Sequence, residues 1–185
     1  STSNQKNRDL LNTNNWLYLE YVRLVKEVRP DWVVFENVKG LLRKSFSTYF
    51  NYIILQLTYP EVEKRSLSTW QKHLSELEKI RTRGNYEGVK YNVIFRLINA
   101  ADFGVPQKRE RVMIVGVRDD LNISWSFPNP THSEESLFWS KYVTEEYWNK
   151  HEISPSDDDV LILKTQKNKL IKKYGMFTPP QKPWV

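Results

Sequence analysis

Half of an α/β sheet with helices against it is the fold this sequence predicts, and three observations predict it. Apolar residues recur at helical spacing from Leu17 to Val28. A short, β-branched, wholly apolar run follows at Trp32-Val33-Val34-Phe35, and two more strand-like runs, Tyr91 to Leu97 and Val112 to Val117, come after a second helical stretch. The order helix, strand, helix, strand, strand belongs to the α/β class. A doubly wound sheet ordinarily opens on a strand and a glycine-rich turn. Here the six glycines are scattered and no Gly-x-Gly string occurs, so the sheet reads as one that starts in its middle.

Taken in order, residues 1–15 are polar and lack a sustained apolar period, which predicts loop. Leu17, Tyr18, Tyr21, Val22, Leu24, Val25 and Val28 give the first helix one apolar face. Pro30 ends it, because the residue before a proline is pushed out of the α region. Trp32 to Phe35 has the character of a parallel strand buried on both faces. A helix is expected over Ser47 to Leu57, stopping before Pro60. The charged stretch 61–88, with its narrow stripe of Leu67, Trp70, Leu74 and Leu77, reads as a helical insertion packed on the outside. Two strands at 91–97 and 112–117 complete the core. Asp119-Asp120 and the prolines at 128 and 130 mark loops. Beyond Thr131 the pattern weakens: 134–151 is helix-prone, Asp157-Asp158-Asp159 reads as a turn, and Leu170 to Tyr174 as a basic helix. The expected organisation is part of one α/β domain over 1–132, with 133–185 a linker leading to a further region.

Composition narrows the function. The chain is 39% hydrophobic with a mean hydropathy of -0.63. It carries no run long enough to span a bilayer and no signal-peptide pattern, so the expectation is a cytoplasmic protein. The absence of cysteine from these residues excludes disulfides, thiolate metal sites and a cysteine nucleophile within them. His73, His132 and His151 are scattered, so no metal site is indicated. A net charge of +6 and a pI near 9.4 suit a polyanionic partner without identifying one.

Two strings carry chemistry. Glu36 follows the apolar run at a strand's carboxyl end, where open α/β sheets place their ligands. For a lone glutamate, capping the next helix is the commoner role. Its neighbours extend it to Glu36-Asn37-Val38-Lys39-Gly40-Leu41. The second string, Gly104-Val105-Pro106-Gln107-Lys108-Arg109-Glu110-Arg111, runs from a turn into the strand Val112 to Gly116. An alternating Arg-Glu-Arg is usually a solvated edge, but the turn before it and the buried strand after it fix which way the arginines point. Their planar forks suit a phosphate or a base carbonyl.

Together these strings resemble the sixth and eighth motifs of the DNA (cytosine-5)-methyltransferases. The resemblance covers residues 1–132. Ser1-Thr2-Ser3 is similar to the residues just after the family's Pro-Cys-Gln loop, Trp16-Leu17-Tyr18 to its fifth motif, and Pro130-Thr131-His132 to the linker after the eighth. The chain departs from the family at Asn12-Thr13-Asn14, where an Asp-x-Arg is usual. The resemblance implies a Rossmann-like methyltransferase sheet, partial and doubly wound, that acts on double-stranded DNA with S-adenosylmethionine as methyl donor in a restriction-modification setting. By resemblance Glu36, Arg109 and Arg111 are catalytic, Asn37, Val38 and Gln107 support them, and Leu17 lines the donor site.

The family's nucleophile and donor loop are not among these residues, so the expected chain is inactive alone. It is then either a piece of a longer methyltransferase or one subunit of a split enzyme. In a third reading, a non-catalytic module, the basic surface docks DNA or a methyltransferase. An apolar sheet edge left without its neighbours is expected to cause self-association.

Overall fold

In the computed structural model, residues 14–165 and 167–174 are described. They divide into two compact units. One holds the described residues up to Leu97 together with Val112–Ser126; the other holds Ile98–Arg111 and the described residues from Phe127 onward.

The first unit begins with α1 (Asn14–Val28), whose Tyr18, Val22 and Val25 are buried at helical spacing. The helix stops because Arg29 takes a left-handed conformation, φ 49°, and returns its N–H to the Val25 carbonyl at 3.0 Å. Residues other than glycine and asparagine rarely make this turn, and Pro30 denies Arg29 the helical alternative. Three side chains fix the corner beyond it. Tyr91 donates to the Pro30 carbonyl (2.7 Å), Arg118 to the Arg29 carbonyl (2.6 Å), and Tyr21 to the Val34 carbonyl (2.9 Å).

Three strands make the sheet: β1 (Trp32–Val38), and after α2 (Ser47–Thr58) and α3 (Trp70–Arg83), β2 (Tyr91–Asn99) and β3 (Glu110–Arg118). Their order is β1-β3-β2. The fold class is mixed α/β as expected, but the strand pairing is antiparallel. Arg118 N–H meets the Asp31 carbonyl at 3.0 Å, and Asp119 N–H meets that of Lys90 at 2.9 Å, so the end of β3 lies beside the starts of both neighbours. Gly116 confirms both registers, since a Cβ there would stand 2.6 Å from a Val33 γ-carbon and 3.3 Å from one of Val93.

The expectation that Trp32 to Phe35 would be buried on both faces is corrected by this arrangement. β1 is an edge strand among the described residues, and its burial alternates. Val33, Phe35 and Asn37 face the helices; Trp32, Val34, Glu36 and Val38 are exposed. An edge strand with one open face cannot bury a continuous apolar run, whatever its composition.

The core lies between the sheet and α1, α2 and α3. α2 buries Phe50, Tyr52, Ile53, Leu55 and Leu57, and Tyr18, Val112 and Ile114 join the same cluster. The 61–88 stretch is no outer appendage. α3, capped by the Thr69 hydroxyl and closed by left-handed Gly84, contributes Leu74 and Leu77 to that core. Leu67, expected on its apolar stripe, precedes the helix and is fully exposed.

His73 is buried with them. Its Nε2 lies 3.0 Å from the Val62 carbonyl and its Nδ1 3.0 Å from the Tyr52 hydroxyl. A carbonyl only accepts, so the proton sits on Nε2 and Tyr52 donates to Nδ1.

The second unit contains α4 (Glu134–Tyr142), α5 (Glu146–His151), α6 (Asp157–Thr165) and α7 (Lys167–Tyr174). Ser133 caps α4 by accepting the Ser136 N–H at 3.1 Å. Left-handed Glu145 separates α4 from α5, so 134–151 is two helices rather than one. Asp157-Asp158-Asp159 is not a turn but the first turn of α6, where acidic side chains favour the helix N-terminus. Asp159 accepts from Lys141 (2.9 Å), Tyr142 (2.6 Å) and Ser156 (2.5 Å). The Lys141 ammonium also lies over the rings of Trp148, Tyr142 and Tyr147, at 4.8 to 5.4 Å from their centroids. No helix among the described residues is long and apolar enough to cross a membrane.

Candidate functional site

Glu36 belongs to the first unit. Strand alternation turns its carboxylate to the open face of β1, and the β1–β3 register sets it opposite Met113. Asn37, one residue on, uses its side-chain oxygen to accept the Val38 N–H at 2.8 Å. That local bond satisfies an N–H of the strand's last residue on the edge away from β3. The chain then enters a single 3-10 turn, Lys39–Leu42, whose Leu41 and Leu42 pack on the core. Val38, not Glu36, holds the N-cap position of that turn, and no side chain caps it. Leu17 is also in this unit. It lies off the buried face of α1 and is 72% exposed.

Arg109, Arg111 and Gln107 belong to the second unit, on a loop that enters β3. The loop opens with a 3-10 turn, Ala100–Phe103, closed by Gly104 at φ 89°. His132 lies against that glycine so closely that a Cβ would come within 2.9 Å of its Cε1. With the left-handed backbone, this contact leaves room for no other residue. The Asp102 carbonyl accepts both the Thr131 and His132 N–H groups, at 2.9 and 3.0 Å, tying the segment after β3 beneath the turn. Gln107 returns its N–H to the Val105 carbonyl at 2.7 Å, across Pro106.

Gln107, Lys108 and Arg109 are exposed, and Lys108 pairs with Glu134 at 3.3 Å. One guanidinium nitrogen of Arg111 donates to the Glu110 carbonyl at 2.8 Å. A cavity of about 290 Å³ opens between this loop and α4, lined by Asn99, Asp102, Gln107, Lys108, Ser133 and Tyr147 among others.

The second unit thus brings Gln107, Arg109 and Arg111 onto one loop and strand, and the first gathers Glu36, Asn37 and Val38 at one strand end. The first group offers planar donors for a carbonyl or phosphate; the second offers a carboxylate acceptor for N–H groups. Sequence reasoning missed Asn99, Asp102 and the seat of His132 under Gly104. Their signal was an Asx residue at a strand end followed by a turn. Among the described residues no cluster of three histidine, cysteine or acidic side chains could hold a metal ion.

Residues 2–59 and 64–177 match the model of the C-5 cytosine-specific DNA methylases, and the chain belongs to that family. Among its relatives are three type II methyltransferases. M.BsuRI of Bacillus subtilis is 34% identical over 66% of this chain and 21% of its own length. M.FnuDI of Fusobacterium nucleatum is 34% identical over 72% and 29%, and M.AquIA of a Picosynechococcus species 38% identical over 63% and 38%. The chain therefore spans well under half the length of these relatives. A solved putative DNA modification methyltransferase encoded in an E. coli prophage is similar over 62% of this chain and 25% of its own, at 22% identity and a TM-score of 0.38.

Proposed function

We propose that this chain supplies the base-polarising groups of a DNA (cytosine-5)-methyltransferase of the restriction-modification kind. The nucleophilic thiolate and most of the methyl-donor site come from outside these 185 residues, whether from the same polypeptide or from a partner subunit. The family match over residues 2–59 and 64–177, which takes in both strings, supports the reading. Glu36 lies near the end of β1 in the first unit, and Arg109 and Arg111 lie on the loop and strand start of the second, each within a string that resembles the family's.

The chemistry is set by the base. Cytosine must leave the stack to be reached. Addition of a thiolate to carbon 6 makes carbon 5 nucleophilic and pushes charge toward ring nitrogen 3 and the carbonyl. Glu36 hydrogen-bonds nitrogen 3 and the exocyclic amine, favouring protonation as that charge develops. Arg111 binds the base carbonyl, and Arg109 holds Glu36 or a backbone phosphate, with Asn37, Val38 and Gln107 supporting the two strand ends. Each stabiliser of this type is worth roughly 3–4 kcal/mol in comparable sites.

S-adenosylmethionine supplies the methyl group when bound. Leu17, exposed on α1, fits one apolar wall for its adenine. No string of glycines is available in this chain to cradle the rest, so the chain alone is expected neither to bind the donor tightly nor to methylate DNA. The net charge of +6 suits duplex DNA as partner.

In the complete enzyme, Glu36→Gln and Arg111→Ala should each lower turnover at saturating DNA by on the order of 100-fold, with little change in DNA affinity. Lys169→Ala should leave turnover alone. Full activity in Glu36→Gln would reject the assignment and leave a non-catalytic DNA-docking module as the better reading.

A further inference from the structure

The arginine-bearing strand has an irregular start, and one side chain compensates for it. β2 and β3 keep one register from end to end: Asp119 N–H meets the Lys90 carbonyl, and Ala100 N–H meets that of Arg109 at 3.0 Å. In an antiparallel ladder such a directly opposed pair exchanges two hydrogen bonds. The reciprocal bond is not made here. Ala100 has entered the 3-10 turn, and its carbonyl accepts instead from the N–H groups of Gly104 and Val105. That leaves the Arg109 N–H without its ladder acceptor. The Asn99 side-chain oxygen takes it at 3.1 Å.

The same oxygen accepts the Ala101 N–H at 3.4 Å, capping the turn, while the Asn99 amide nitrogen donates to the Asp102 carboxylate at 3.4 Å. Two backbone donors converge on one atom, so that atom must be the oxygen, and the amide group can have only one orientation.

We infer that Asn99 is the positioning residue of the Arg109–Arg111 strand start. Its amide stands in for the missing rung of the ladder and fixes the backbone from which both guanidinium groups project. This rests on the role proposed above for those arginines. The residue type is dictated by the partners. Serine would be a carbon short of both N–H groups, and alanine would leave them to water. Aspartate could accept both, but would set a second carboxylate against that of Asp102. Because the Arg109 bond is solvent-exposed, losing it disorders the strand start without unfolding the unit. The effect therefore falls on catalysis rather than on folding.

The test is a donor-acceptor exchange in the active enzyme, with turnover at saturating DNA and DNA dissociation constants both measured. Asn99→Asp should lower turnover on the order of tenfold to a hundredfold while DNA affinity and thermal stability hold. Combining it with Asp102→Asn returns a donor to face the new carboxylate, and turnover should recover most of the loss. Faster amide exchange at Arg109 in Asn99→Ala would report the same loosening directly. Unchanged turnover in Asn99→Asp, or a double variant no better than the single one, overturns the inference. Arg111→Ala is measured in parallel: if it too is fully active, the proposed function fails. If it is impaired while Asn99→Asp is not, only the positioning role fails.

Discussion

A methyl group added at position 116 would stand 2.6 Å from a γ-carbon of Val33 on one side and 3.3 Å from one of Val93 on the other. Valine has one stiff χ1 and cannot swing clear, so Gly116 is the residue that lets three strands close at their centre. Gly116→Ala should destabilise the first unit by about 1–3 kcal/mol, read as a lower urea midpoint. Adding Val33→Ala should restore part of that loss; a midpoint unmoved by Gly116→Ala would mean that the register is wrong. His73 makes a second single-residue case. Burial outweighs its contact with the Val62 carbonyl and lowers the imidazole below its ordinary value. The unfolded chain therefore takes up the proton more readily than the folded one. Stability is full above about pH 6.5 and declines as pH falls below it. The Tm difference between pH 7.5 and 5.5 should shrink in His73→Gln, whose side chain keeps a donor for Val62 without titrating. An identical difference in both proteins would remove His73 from that account.

At the scale of the element, α3 and α6 are the instructive pair. The helical spacing of Trp70, Leu74 and Leu77 was legible, as were the three strands and α1. That α3 enters the main core was not, because it depends on the Tyr52–His73–Val62 chain of hydrogen bonds linking three separated segments. Glu36 and the two arginines are singled out by their strings alone. The antiparallel pairing of their strands was not legible, since a run of Trp-Val-Val-Phe reads alike in parallel and edge strands. In α6 the three consecutive aspartates resembled a turn; what makes them helical is tertiary. Burial alone would raise the Asp159 carboxyl, but hydrogen bonds from Ser156, Tyr142 and Lys141 outweigh it and hold it well below the usual carboxylate range. Both side chains of the Lys141–Asp159 pair are mostly buried, 21% and 15% exposed. Asp159→Asn should cost the second unit about 1.5–3 kcal/mol at neutral pH. The depressed carboxyl contributes stability that is complete above about pH 4 and lost as pH falls through its lower folded value. The gap between wild type and Asp159→Asn should thus narrow in acid melts near pH 2, and a gap that stays constant from pH 7 to pH 2 would contradict the clamp.

On the scale of the whole molecule, the first unit exposes several large apolar side chains. Leu17, Leu24 and Val28 fall seven and four residues apart, so they form one stripe on α1 beside its buried face. They are 72%, 48% and 67% exposed, and on the open face of β1 Val34 and Val38 are 54% and 56% exposed. Scattered apolar residues on a surface require no explanation, whereas a stripe along one side of a helix or strand marks an interaction surface. β1 is an edge strand among the described residues, and an edge strand invites strand addition. The expected behaviour of the isolated chain is concentration-dependent association through this surface. The double substitution Val28→Glu and Val34→Lys places one charge on the α1 stripe and one on the open face of β1, without touching the buried face of α1 or the Val33–Phe35 side of β1. It should shift the sedimentation profile toward monomer while leaving the far-ultraviolet circular dichroism and the melting transition in place. A parent chain that sediments as a monomer at millimolar concentration would show that this surface is not adhesive. A variant that still associates would move the interface to another part of the chain.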